Sequence, residues 1–190
     1  MKTLTLFRTY LFLAFVSVSF LVSAQANAEF PGLDQSPADI LYLRTARGVP
    51  PLAKVVYGRP SLKGRPVFTD AENALAPLGK VWRTGANEAT EITLFKDAKV
   101  AGKSLKAGTY VVHTIPGKSE WTIIFNSKLH VWGAYEYDES KDVLRINVPA
   151  SSGANSVEAF SMNFKPGSSE NTYHLVMGWG TTRVEVPFTF

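Results

Sequence analysis

The side chains best suited to binding or catalysis are concentrated in residues 55–90, where charged and aromatic residues are interspersed with glycine and proline. Arginine binds anionic groups through paired hydrogen bonds, and an aromatic ring can stack on a flat or sugar-like ring. Loops also carry binding residues more often than strands do. This stretch therefore predicts a ligand site, in which an arginine holds an anion while Trp82 stacks on a ring. Its members are Arg59, Arg65, Trp82, Arg83, Asn87 and Glu88.

The same residues have a structural interpretation. A tryptophan covered by an arginine, and an Asn-Glu pair that caps a turn through side-chain to backbone hydrogen bonds, are common ways of tying a long loop to a β-sheet. The sequence leaves both interpretations open.

The sequence assigns no catalytic residue, metal or cofactor. Its three histidines, His113, His130 and His174, are isolated and lack zinc-binding spacing. There is no cysteine and no G-x-S-x-G motif. The acidic residues of 136–142 could be weak calcium ligands or solvated turn residues. They lack the spacing of a calcium-binding loop. A hydrolase with Glu88 as general acid or base is a further hypothesis, which needs Glu88 in a cleft beside a second polar group.

The elements that would position these residues are strands. Apolar residues alternate with polar ones in several runs of about seven residues, which is the strand pattern. Gly- and Pro-containing turns separate the runs, including Ser152-Gly153 and Pro166-Gly167. No sustained helical period occurs. The pattern predicts an all-β fold, an antiparallel β-sandwich of about nine or ten strands, with barrel-like closure as an alternative. We expect residues 52–190 to form this single domain and residues 29–51 to form an irregular N-terminal segment, with a short helix or turn around residues 38–43.

Residues 1–28 have the features of a secretory signal peptide. Lys2 and Arg8 precede a short apolar run, and Ala24, Ala26 and Ala28 supply small-residue cleavage patterns. The alternative is an uncleaved N-terminal anchor. We expect export to the periplasm or the extracellular space, with no membrane span after cleavage. Without Lys2 and Arg8 the 20 basic residues become 18, against 16 acidic ones, and this near-neutral, unclustered charge argues against a nucleic-acid partner.

Several motifs together resemble a bacterial exported family catalogued as domain of unknown function 2911. They are Y-G-R-P-S from Tyr57, K-G-R-P from Lys63, the run W-R-T-G-A-N-E-A-T of residues 82–90, and W-T-I-I-F-N from Trp121. Trp132-Gly133 fits the same pattern, so Trp132 joins the candidate ligand-binding residues. The resemblance implies export and a mainly β domain. It implies no activity, substrate or cofactor.

Three functions remain open at this point. The first is a non-enzymatic binding or accessory module of the cell envelope, with a polar and aromatic pocket for a small anionic or carbohydrate ligand. The second is a structural module that docks on an envelope protein through a sheet edge or an aromatic patch. The third is the hydrolase with Glu88.

Overall fold

A computed structural model of the chain describes residues 30–190, so the predicted signal peptide lies outside the described part. Residues 34–190 form one compact unit, and residues 30–33 carry no regular secondary structure. The described part contains nine strands and one 3₁₀ turn, Glu139–Lys141. The strands are β1 Ala38–Leu43, β2 Ala53–Gly58, β3 Thr90–Leu94, β4 Ala98–Val100, β5 Lys103–Leu105, β6 Gly108–Ile115, β7 Glu120–Asn126, β8 Asp142–Pro166 and β9 Thr172–Thr189.

All nine strands belong to one antiparallel sheet, in the order β1-β2-β3-β6-β7-β8-β9-β4-β5. The predicted all-β fold and strand number are thus confirmed. The sheet is not closed into a barrel: β1 and β5 end it, and a single bridge between Ser61 and Ala159 links the chain after β2 to β8. Among residues 30–190, no helix has the length and apolar character needed to cross a membrane.

Strand β9 reverses direction within its own length. An extended strand advances about 3.3 Å per residue, so the eleven steps from His174 to Glu185 would cover about 36 Å. The His174 Nδ1 and Glu185 Oε2 atoms are nevertheless 3.0 Å apart, and Gly180, with a φ of 55°, lies between them. The two arms of β9 therefore lie side by side, and each pairs with a different part of β8.

The core forms where the inward-facing side chains of the folded sheet meet. As the alternation predicted, Trp121, Ile123 and Phe125 of β7 are buried. They pack with alternate residues of the other strands, including Val55, Ile92, Ile146, Phe160, Met177, Trp179, Val186 and Phe188. The Tyr57 and Phe160 rings, 5.8 Å apart, and the Phe125 and Phe188 rings, 6.2 Å apart, join strands that are not neighbours in the sheet.

Two local predictions need correction. Residues 38–43 form strand β1 instead of a short helix or turn. Both faces of β1 carry apolar residues, Ile40 and Tyr42 outside and Leu41 and Leu43 inside, and this hides the period of two. The Ser152-Gly153 turn lies within β8, where the pairing with β9 shifts register after Ser152.

Candidate functional site

The run of residues 82–90 leads from the core into β3 and is fixed at both ends. Trp82 and Thr114 of β6 exchange two backbone hydrogen bonds, of 2.7 and 2.9 Å. At the other end, the Thr90 hydroxyl donates to the Thr84 carbonyl at 2.7 Å, and the Thr90 amide donates to the Arg83 carbonyl at 3.1 Å. These bonds hold residues 84–89 as a closed loop against the sheet.

Two glycines allow this loop to lie directly on β2. A Cβ atom at Gly58 would lie 2.2 Å from the Ala86 carbonyl oxygen, and one at Gly85 would lie 2.9 Å from the Gly58 carbonyl oxygen. Side chains cannot approach that closely, so only glycine lets the two backbones meet at this point.

A second segment, residues 129–133, runs along the other side of the loop. The Ala89 amide donates to the Val131 carbonyl at 3.0 Å, and the Gly133 amide donates to the Asn87 carbonyl at 3.1 Å. Ala89, Val111 and Val131 form a small apolar cluster beneath this pairing. The pairing places Trp132 opposite Glu88, which brings together residues 44 positions apart in the sequence.

The two segments and the outer surface of β1 and β2 enclose a cavity of about 360 Å³, which is within the size range of ligand pockets. Its floor includes Val56 and Gly58, and the Trp132 side chain stands at its wall with 59% of its surface exposed. The lining residues are Asp34, Ser36, Ala38, Val56, Tyr57, Gly58, Ala86, Asn87, Glu88, Ala89, Glu91 and Trp132. We call this cavity the Trp132 pocket.

The charge of the Trp132 pocket is negative. The described lining contains three carboxylates, those of Asp34, Glu88 and Glu91, and no lysine or arginine. Glu91 accepts a hydrogen bond from the His130 amide at 3.0 Å, and Asp34 accepts one from the Ser36 amide at 2.6 Å. An amide donor orients a carboxylate without cancelling its charge, so these bonds leave the lining acidic.

Three of the seven predicted ligand-binding residues, Asn87, Glu88 and Trp132, line this pocket. The backbone φ of Asn87 is 59°, a conformation that asparagine tolerates better than most residues.

The structure places the three arginines elsewhere. Arg59 donates to Asp39, to Ser161 and to the Phe160 carbonyl, at 2.8–3.2 Å, and so ties β1 to β8. Arg65 donates to the carbonyls of residues 61 and 62 in its own turn. Arg83 lies in a separate depression beside Tyr135. These three arginines therefore do not form the predicted anion-binding site at the Trp132 pocket.

Trp82 lies in the core with 7% of its surface exposed. Its ring stacks on Trp179 at 5.7 Å and meets Phe68, Trp121 and Phe160 edge-on at 5.1–6.2 Å. Because core neighbours already occupy its faces, the predicted stacking of a ligand on Trp82 does not fit this position. The exposed ring at the pocket is Trp132.

Sequence reasoning missed Glu91 as a pocket residue. Glu91 lies on the polar face of β3, between buried Thr90 and Ile92, and a solvated carboxylate is the usual outcome there. The sequence does not reveal that residues 129–133 cross this face and turn it into the side of a cavity. The cross-strand neighbours Val56 and Glu91 are visible only once the register of β2 and β3 is known.

The other acidic group, residues 136–142, forms an internal network. Asp142 accepts hydrogen bonds from the Tyr137 hydroxyl at 2.6 Å, from Arg145 at 3.0 Å and from Asn126 at 2.8 Å. Burial, together with the bond to Asp142, raises the pKa of the Tyr137 hydroxyl, which stays a neutral donor. Asp138 caps the 3₁₀ turn by accepting from the Ser140 amide. This network anchors the segment that carries Trp132.

Comparison of the chain with curated proteins and with solved structures found no significant match. A family model described as "Protein of unknown function (DUF2911)" matches residues 50–188. This match covers the loop of residues 82–90, the Trp132 segment and eight of the nine strands, and the chain therefore belongs to the DUF2911 family.

Proposed function

We propose that this protein is an exported, non-enzymatic binding module, and that the Trp132 pocket receives a carbohydrate-type ligand. The exposed Trp132 ring beside Asn87 and Glu88 carries the proposal. Sugar rings present both an apolar face and hydroxyl groups. An exposed indole offers a surface for the first, and amide and carboxylate side chains offer hydrogen bonds to the second.

The charge of the pocket argues against the anionic ligand that the sequence suggested. An anion at this position would face three carboxylates without a cation in the described lining, and like charges at close range repel. We therefore keep the carbohydrate part of that hypothesis and set the anionic part aside.

A panel of neutral oligosaccharides, assayed by thermal shift and by Trp fluorescence, tests the proposal. Trp132→Ala should weaken binding roughly tenfold, because it removes the stacking surface. Tyr135→Ala is the matched control, since Tyr135 is an exposed aromatic residue of the same segment that lines a different depression. Absence of binding by the wild type, or equal binding by Trp132→Ala, would contradict the proposal.

Two further measurements separate the other hypotheses. Release of new reducing ends that depends on Glu88 would favour the hydrolase, because Glu88 and Glu91 line one cavity. Docking on a protein partner has its best support at β1, which ends the sheet and exposes Ile40 and Tyr42. A docking function would be abolished by Ile40→Lys and would survive Trp132→Ala.

A further inference from the structure

The carboxylates of the Trp132 pocket also bear on which ligand it selects. This inference rests on the proposed function. Glu88 is exposed, and Glu91, whose side chain is about three-quarters buried, lines the same cavity. Asp34 also lines the pocket, from a turn closed by its bond to Ser36.

Nearby cations do not neutralise this group. Arg83, the arginine nearest in sequence, lies against Gly133 and donates to the Gly85 carbonyl, outside the pocket lining. His130 approaches Glu91 at 3.4 Å, but the His130 side chain is itself 84% exposed. Among residues 30–190, Glu91 is thus the one of the three carboxylates with a basic side chain within 4.0 Å.

A positively charged ligand would be attracted to the pocket by two interactions. It would gain attraction from the carboxylates, which is stronger in a partly enclosed cavity than in bulk water. It would also gain from the electron-rich face of Trp132, because the indole ring attracts cations more strongly than other aromatic rings do. A neutral sugar gains from neither interaction.

We infer that the Trp132 pocket selects a ligand that carries a protonated amine, such as an amino sugar, over neutral and anionic ligands of the same shape. Two sources share this chemistry, a sugar ring bearing an amine and an alkyl amine without a ring. The stacking surface of Trp132 favours the ring.

The test uses two oligosaccharides that differ in charge and share their backbone. A glucosamine tetramer carries amines, and an N-acetylglucosamine tetramer has each amine converted to a neutral amide. Affinities are measured by calorimetry on the chain lacking residues 1–28, with spermidine as the alkyl amine. The glucosamine tetramer should bind several-fold more tightly, and its advantage should shrink as salt rises, since salt screens the attraction.

Glu88→Gln removes one charge and keeps the shape of the side chain. It should reduce the preference for the glucosamine tetramer roughly threefold or more, and leave the affinity for the N-acetylated tetramer nearly unchanged. Glu170→Gln is the control, because Glu170 is an exposed carboxylate in the loop between β8 and β9, outside the pocket lining. Equal melting temperatures of the two variants would show that both are folded.

Each outcome separates the two proposals. If both tetramers bind equally and Trp132→Ala weakens both, the pocket function stands and the amine preference is overturned. A preference that Glu88→Gln leaves intact overturns it as well. If neither tetramer nor spermidine binds, the amine preference is overturned, and the proposed function then depends on the neutral panel alone. If spermidine binds as tightly as the glucosamine tetramer, amine recognition is supported and the ring is dispensable.

Discussion

His113 is the buried histidine of β6, with 1% of its surface exposed and no hydrogen-bond partner for Nδ1 among the described residues. Its ring meets that of Tyr137 edge-on at 5.1 Å. Burial lowers the pKa of His113, and a bond to the Trp82 backbone and the charge of Asp142 oppose this shift without reversing it. The folded protein therefore holds this imidazole neutral.

This burial predicts a loss of stability in mild acid. Below about pH 6.5, His113 is protonated in the unfolded chain and still neutral in the folded protein. This difference persists until the pH falls to the lower pKa that His113 has in the folded state. Within that window the free energy of unfolding should fall by up to about 1.4 kcal/mol per pH unit as the pH decreases. His113→Phe should flatten this slope in urea titrations at a series of pH values.

His130→Asn is the control for this experiment, because the His130 side chain is largely exposed and asparagine suits its positive φ of 59°. That variant should keep the slope of the wild type. An unchanged slope in His113→Phe would show that other groups cause the acid sensitivity.

The run of residues 82–90 shows how one segment satisfies packing and recognition together. Trp82 fills the core, and Thr84 is buried and bonds to Thr114 through its hydroxyl at 3.2 Å. Gly85 permits contact with β2, and residues 86–89 line the pocket. The structural interpretation of this motif therefore accounts for most of its residues, and the binding hypothesis concerns its last part.

At the scale of elements, Tyr57 links β2 with two other strands. Its hydroxyl accepts a hydrogen bond from the Met162 amide of β8 at 3.0 Å and donates to the Asp39 carboxylate of β1 at 3.2 Å. Burial raises the pKa of this hydroxyl, which keeps it neutral.

Tyr57→Phe should destabilise the protein by about 1–3 kcal/mol, because it leaves the buried Met162 amide without its acceptor. Chemical denaturation gives this value directly. Tyr135→Phe, at an exposed position, should change stability by less than about 0.5 kcal/mol. A similar small effect for both variants would mean that water replaces the lost hydroxyl.

The strands themselves were largely predictable, and the reasons are local. In β7, Trp121, Ile123 and Phe125 recur with a period of two and share one buried face, although Ile124 and Asn126 are buried on the other face as well. β1 escaped prediction because its outer face is apolar too. The pocket was harder to predict, since it depends on the pairing of Glu88 with Trp132, and nothing in the intervening 43 residues signals this contact. Trp132 entered the candidate set through the family resemblance, and Glu91 did not enter it.

At the scale of the whole molecule, the four tryptophans divide into two populations. Trp82, Trp121 and Trp179 are packed together in the core, and Trp132 is the exposed one. Acrylamide should therefore quench mainly the emission of Trp132 in the folded protein, because the quencher needs contact with the ring.

Trp132→Phe should remove most of the quenchable emission, and Tyr135→Phe should leave it unchanged. A ligand in the pocket should protect Trp132 from acrylamide in the wild type. Strong quenching that persists in Trp132→Phe would show that the core opens to solvent, which would contradict the packing described above.

The reversal of β9 has a consequence for how the chain is made. The second arm supplies Val184, Val186 and Phe188 to the core and pairs with β4. Just after it, the Phe190 amide donates to the Asn171 carbonyl. The core therefore lacks these residues until the whole of β9 has left the ribosome. We expect the earlier strands to stay incompletely packed until that point of synthesis.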